Sequence, residues 1–180
     1  MREQTLQYIG NNRNKDRIEN DFYATPLDAI NDLLDREKFI GNIWECACGD
    51  GAISKTLISE GYDVYSSDLI DRGFGVQEDF LKSNKKFDNI VTNPPFNLAT
   101  EFTIHGLRSV KNKMALLCKL SFLEGKKRSF SIFNQDKLKK VLVFSRRLSF
   151  EKNGKRGGLM AFAWFIYDVN YNAKPTIDWI

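Results

Sequence analysis

A mostly parallel, three-layer α/β sheet of about seven strands, closed by an antiparallel carboxyl-terminal hairpin, is the fold this 180-residue sequence predicts. Three observations lead there. Short apolar runs alternate with amphipathic segments through the first two-thirds of the chain, the pattern of strand–helix–strand crossovers. Two of the runs end in stiff or glycine-bearing corners, Ala47-Cys48-Gly49-Asp50-Gly51 and Asn93-Pro94-Pro95-Phe96. In such sheets ligands bind at the carboxyl ends of strands. The last two runs, residues 141–144 and 159–167, have no helical segment between them, so they are expected to pair as a hairpin.

The elements follow in order. Residues 1–20 are polar and aperiodic and read as an arm, and residues 21–180 read as one domain. Thr25-Pro26 reads as an N-cap with proline at the first helical position. The helix it opens carries Leu27, Ile30, Leu33 and Leu34 on one face. A strand over 42–46 leads to the 47–51 turn, and a helix through Ile53, Leu57 and Ile58 stops at Gly61. The strand over 63–67 ends at Asp68, and a short strand reaches Asp79-Phe80. Phe87–Thr92 is the next strand, and Ala99, Phe102, Leu107 and Val110 predict a helix beyond the proline corner. A strand over 114–120, a helix over 122–133 and the closing hairpin, with its loop at 149–158, complete the chain.

Charge and cysteine content narrow the function. The net charge is only +4, but the cations crowd into residues 126–156, among them Lys126, Lys127, Arg146, Arg147, Lys152, Lys155 and Arg156. This suits a polyanion, although a solvated basic face has the same composition. Cys46, Cys48 and Cys118 with the single His105 do not make a tetrahedral metal set, so no metal is expected and the thiols read as buried. No run approaches the ~20 apolar residues of a membrane span, and the amino terminus lacks a signal-peptide stretch. A cytoplasmic location is expected.

Both corners have chemical content. Glycines 49 and 51 allow backbone to approach a ligand at a strand-to-helix turn, and an acidic residue one βα unit later, Asp68, suits ribose hydroxyls. The third glycine of a dinucleotide fingerprint is missing, and no Lys-Ser/Thr follows to make a phosphate loop. In the second corner, consecutive prolines remove two backbone donors and hold Asn93 extended. An amide side chain, a carbonyl and an aromatic ring are thereby presented together. Such a site can hold a planar amino group, such as the 6-amino group of adenine.

In order along the chain, Phe22-Tyr23-Ala24-Thr25-Pro26, Glu45–Gly51, Asp68, Asp79-Phe80 and Asn93–Phe96 resemble the motifs of adenine-N6 DNA methyltransferases of the gamma arrangement. The small phage- and prophage-type members are the most similar. The resemblance implies a Rossmann-like class I methyltransferase fold and S-adenosylmethionine as cofactor. Tyr23 and Thr25 would close over its methionine end, which Glu45 and the turn residues Ala47, Cys48, Gly49 and Gly51 would hold. Asp68 would take the ribose, Asp79 the adenine amino group, and Phe80 would pack on that ring. Asn93 and Pro94 would accept the hydrogens of the target amino group, with Pro95 stiffening the corner and Phe96 stacking on a flipped base.

Only 84 residues follow Phe96, so no separate target-recognition domain is expected. DNA contacts are therefore expected from Arg146, Arg147, Lys152, Lys155 and Arg156, with residues 122–136 and the amino-terminal arm as other candidates, and the reading admits single- or double-stranded DNA and a second protomer. The rival readings are a methyltransferase acting on adenine in RNA or on protein glutamine, and a non-catalytic nucleic-acid-binding relative.

Overall fold

Continuous burial along the central strands, on successive residues of both faces, goes with helices on both sides of one sheet. The computed structural model describes residues 24–152, 155–157 and 160–180, with the side chains of 151–159 outside that description. In chain order the elements are α1 (Leu27–Arg36), β1 (Ile43–Glu45), α2 (Ala52–Ser59), β2 (Val64–Asp68) and β3 (Val76–Gln77). They continue as β4 (Phe87–Thr92), α3 (Ala99–Ser109), β5 (Val110–Lys119), α4 (Lys126–Ser131) and β6 (Leu138–Val143). The last are β7 (Phe150–Lys152), β8 (Lys155–Gly157), β9 (Phe162–Asp168) and β10 (Thr176–Trp179).

Eight strands form the main sheet in the order β10-β6-β9-β5-β4-β1-β2-β3. Strand β9 runs antiparallel to both of its neighbours, β5 and β6, and the other pairings are parallel. The expected closing hairpin is therefore present. Ile43 pairs with Val64 on one side and Asn89 on the other, so β1 lies inside the sheet between β2 and β4. Successive residues of a strand face opposite layers. Val91 accordingly packs with Ile30, Leu33, Ile53 and Leu57 of α1 and α2, while Ile90 packs with Phe102 of α3. Ile30 and Leu33 are fully buried, and burying such a side chain contributes about 1.5–3 kcal/mol. Trp164 Nε1 donates to the Ala29 carbonyl at 2.8 Å, fixing α1 on the sheet.

The sheet of about seven strands has eight, β10 adding in parallel beside β6. Two expectations need correction. Thr25 does not cap α1: Pro26 occupies the N-cap and no side chain caps the helix. The helix expected over 122–133 is broken into a 3-10 turn at Leu120–Leu123, the short α4 and a second 3-10 turn at Phe133–Gln135. Gly125, at φ 112°, interrupts it. The 149–158 loop carries the β7–β8 ribbon.

Candidate active site

Both corners lie at the carboxyl edge of the sheet, one after β1 and the other after β4. Glu45, the last residue of β1, is 1% exposed. Ser54 of α2 donates a short hydrogen bond to its Oε2, and the Ser54 and Ser66 hydroxyls lie 2.6 Å apart. Burial pushes the Glu45 carboxyl well above the usual carboxylate range, a rise the Ser54 bond opposes. Glu45 thus fastens β1, α2 and β2 together from beneath the turn.

The turn itself is held from β2. Cys48 N–H donates to the Ser67 carbonyl at 2.9 Å, and Gly49 N–H donates to Asp68 Oδ2 at 2.9 Å. The other carboxylate oxygen of Asp68 accepts from Ile70 N–H at 2.9 Å. Gly51 starts α2 at φ 84°, a conformation that costs other residues about 1–2 kcal/mol. A Cβ there would fall 2.4 Å from the Phe74 ring. The Cys48 thiol donates to the Phe74 carbonyl at 3.4 Å, and Lys55 Nζ sits 5.0 Å from the ring centroid. The 69–75 loop therefore folds over the turn, and Phe74 is a site residue the sequence reading missed. Its signal was an aromatic between glycines just after Asp68. Ala47 is half-buried against the α3-side core.

Asp79 reaches the same end of β2, since Glu78 N–H donates to the Asp68 carbonyl at 2.8 Å. Its Oδ1 accepts from Leu81 N–H at 3.1 Å and its Oδ2 pairs with Lys82 at 3.1 Å. Phe80 departs from expectation. It is 3% exposed, and its ring is spent on Trp44, Phe102 and His105, with centroids 5.0, 4.8 and 4.8 Å away. It supports the Asp79 turn from the core rather than offering a face to a ligand. The thiols of Cys46 and Cys48 are both raised, chiefly by burial, and that of Cys48 reaches about 12. They remain protonated and are poor nucleophiles.

In the second corner, Asn93 Nδ2 donates to Thr25 Oγ1 at 3.1 Å. Thr25 is 7% exposed. Asn93 Oδ1 is buried and has no hydrogen-bond partner, a costly arrangement unless something arrives to use it. Pro94 is buried and Pro95 exposed. The Pro95 carbonyl accepts from Leu98 N–H at 2.8 Å, closing the corner. The Phe96 ring packs on Phe162 with centroids 5.4 Å apart, and Lys119 Nζ lies 4.9 Å from its centroid. Lys119 ends β5 and is a second residue that sequence reading missed.

The predicted basic contacts divide. Arg146 is not free for a phosphate, because its guanidinium pairs with Asp28 at 3.0 Å and, more closely, with Asp32 of α1. Arg147 is exposed. Tyr23, the 1–20 arm and the side chains of Lys152, Lys155 and Arg156 lie outside the described residues. Among the described residues no cluster could hold a metal ion, and no helix is long and apolar enough to cross a membrane.

No protein-family model and no curated protein matches the sequence. Solved structures do match the fold. One is a protein assigned as a modification subunit of a type I restriction enzyme from Vibrio vulnificus YJ016, with TM-score 0.65 and 12% identity, covering 99% of this chain and 50% of that one. The chain thus spans half the length of that relative. Another is a protein assigned as an RNA methyltransferase from Pyrococcus horikoshii, with TM-score 0.65 and 15% identity, covering 83% and 88% of the two chains. A third is magnesium protoporphyrin IX methyltransferase from Synechocystis PCC 6803 with bound SAM, with TM-score 0.50 and 13% identity, covering 77% and 79%. What these likenesses establish is architecture: the chain has the Rossmann-like fold of methyltransferases.

Proposed function

We propose that the chain is an S-adenosylmethionine-dependent methyltransferase that methylates the 6-amino group of adenine in DNA, on a base flipped out of the duplex or already unpaired. The observation that carries this reading is the buried, unpartnered Asn93 Oδ1 beside an Asn93 Nδ2 held by Thr25. An acceptor fixed in place and left unsatisfied suits a substrate that brings an N–H donor. The type I modification subunit among the structural neighbours favours DNA. The neighbour assigned as an RNA methyltransferase keeps adenine in RNA as the second reading.

The donor set fits the cofactor. Asp68 holds two backbone N–H groups and Asp79 one, and both retain further acceptor lone pairs, suiting ribose hydroxyls and an exocyclic amine respectively. Glu45, the 47–51 turn and Thr25 would hold the methionine end. Bound S-adenosylmethionine supplies a sulfonium-activated methyl group. The chain's own residues then act on the acceptor. Asn93 Oδ1 and the Pro94 carbonyl each accept one amino hydrogen, drawing the nitrogen lone pair out of conjugation with the ring. Positioning and preorganised acceptors do this without a covalent intermediate. A base entering beside Phe96 gains about 1–3 kcal/mol from stacking and meets the Lys119 ammonium, which suits its phosphate.

Isotope-labelled S-adenosylmethionine offered with unmethylated genomic DNA and with total RNA tests this, products being digested and identified by mass spectrometry. Label in 6-methyldeoxyadenosine, lost in Asn93→Ala, is the expected result. Label confined to RNA transfers the reading to the RNA substrate, and label in neither refutes a nucleic-acid methyltransferase.

A further inference from the structure

Beyond the target pocket, we propose that α4 is a docking platform for an unpaired nucleic-acid strand: Phe130 stacks on a base, and Lys126 and Lys127 pair with phosphates. The inference rests on the proposed nucleic-acid substrate but not on methyl transfer.

Phe130 is 80% exposed, and its exposure does not come from a loose segment. Phe122 and Ile132, which flank α4, are 7% and 0% exposed. Phe122 packs edge-on against Phe165 in the core, with centroids 5.3 Å apart. Arg128 buckles the segment: its Nε donates to the Phe122 carbonyl at 2.8 Å, its guanidinium also donates to the Ser121 and Glu124 carbonyls, and it lies over the Phe122 ring. One cation of the helix is thus consumed internally, while Lys126 and Lys127 are exposed. A large exposed aromatic on an anchored segment beside exposed ammonium groups matches a sequence-tolerant single-strand site, where aromatics take bases and cations track the backbone.

Charge and position agree. Residues 119–131 hold four cations, Lys119, Lys126, Lys127 and Arg128, against one acid, Glu124. The segment also starts at the candidate pocket. Lys119 sits 4.9 Å from the Phe96 centroid, and the chain passes from it through one 3-10 turn into α4. A strand whose target base enters beside Phe96 would continue onto this platform by following the chain from Lys119 into α4.

Fluorescence anisotropy tests the platform without cofactor, using a labelled mixed-sequence deoxyoligonucleotide of about 12 residues, a length within single-strand site sizes, its ribo version and its duplex. Wild type should prefer the single strands. Phe130→Ala should weaken single-strand binding about fivefold or more, while Phe130→Trp keeps wild-type affinity. The Lys126→Gln/Lys127→Gln pair should flatten the slope of log affinity against log salt by about 1.4, at roughly 0.7 per phosphate lost. Thermal melts should match wild type, since all three side chains are exposed. Binding unchanged in every variant overturns the platform alone. No binding by wild type to any oligonucleotide overturns the platform and the nucleic-acid substrate together. If Phe130→Ala alters only the sedimentation of the free protein, the face is a protein contact and the proposal falls.

Discussion

Asn93 and Thr25 meet through one hydrogen bond, Nδ2 to Oγ1 at 3.1 Å, across 68 positions of sequence. That bond decides which end of the amide is left for a substrate. Asn93→Ala should abolish methyl transfer with cofactor binding nearly intact. Thr25→Val removes the acceptor but keeps the shape, so the amide can rotate. A fall of about a hundredfold in kcat is expected, the scale of a 1 Å misplacement at a reacting centre, with Thr25→Ser restoring most of it. Single-turnover kinetics decide the matter, and equal rates in wild type and Thr25→Val would refute the orienting role.

Glu45 should make stability fall as pH rises. Burial holds its carboxyl protonated to a higher pH than in the unfolded chain, where a glutamate titrates near 4.3 or so. Between those two pH values the folded state binds more protons, so unfolding free energy decreases with pH through that window. Glu45→Gln should flatten the decline, matching wild type below pH ~4 and exceeding it in neutral and alkaline buffer. Thermal melts across pH provide the check.

Gly51 and Phe74 should behave as a coupled pair. Gly51→Ala meets both a left-handed backbone and the Phe74 ring. The backbone alone costs about 1–2 kcal/mol, or roughly 2–8 °C of Tm at this chain length. Removing the ring relieves only the second conflict. The Gly51→Ala/Phe74→Ala double variant should therefore be more stable than the two single losses sum to, as a double-mutant cycle would read.

Arg146 should matter to α1 and little to nucleic acid. Its ion pairs are exposed, and such pairs contribute at most about 1 kcal/mol. Arg146→Gln should speed amide exchange in α1 and leave oligonucleotide affinity within twofold or so. A large loss of affinity without faster exchange would return Arg146 to the contacts expected of it from sequence.

What could be read in the sequence was what local pattern encodes. The parallel strands are apolar runs ending at Glu45, Asp68 and Thr92, and each end is marked by a residue type a core does not need. The final strand was hidden because Ile177 and Trp179 stand 55% and 61% exposed, so no buried face imposes a readable alternation. Phe80 and Arg146 were misplaced for a different reason. A phenylalanine does not declare which side of a turn its ring takes, and the partners of Arg146 lie 118 and 114 positions away on α1. Phe74 and Lys119 act through a loop fold and a strand end, neither of which has a composition of its own.

Strand β9 has a consequence for how the protein comes into being. It lies between β5 and β6, although β6 precedes it in the chain, and it alone joins the β6–β10 pair to the rest of the sheet. During synthesis β5 and β6 must wait apart until residues 162–168 emerge to fill the gap. Phe162, which backs the Phe96 ring, arrives with that strand. Such non-local pairing is slow and comes late in folding. A growing chain therefore carries its Phe96 ring without the Phe162 face behind it until the sheet closes, and a ribosome-bound chain arrested before residue 162 should be inert however well its amino-terminal half has folded.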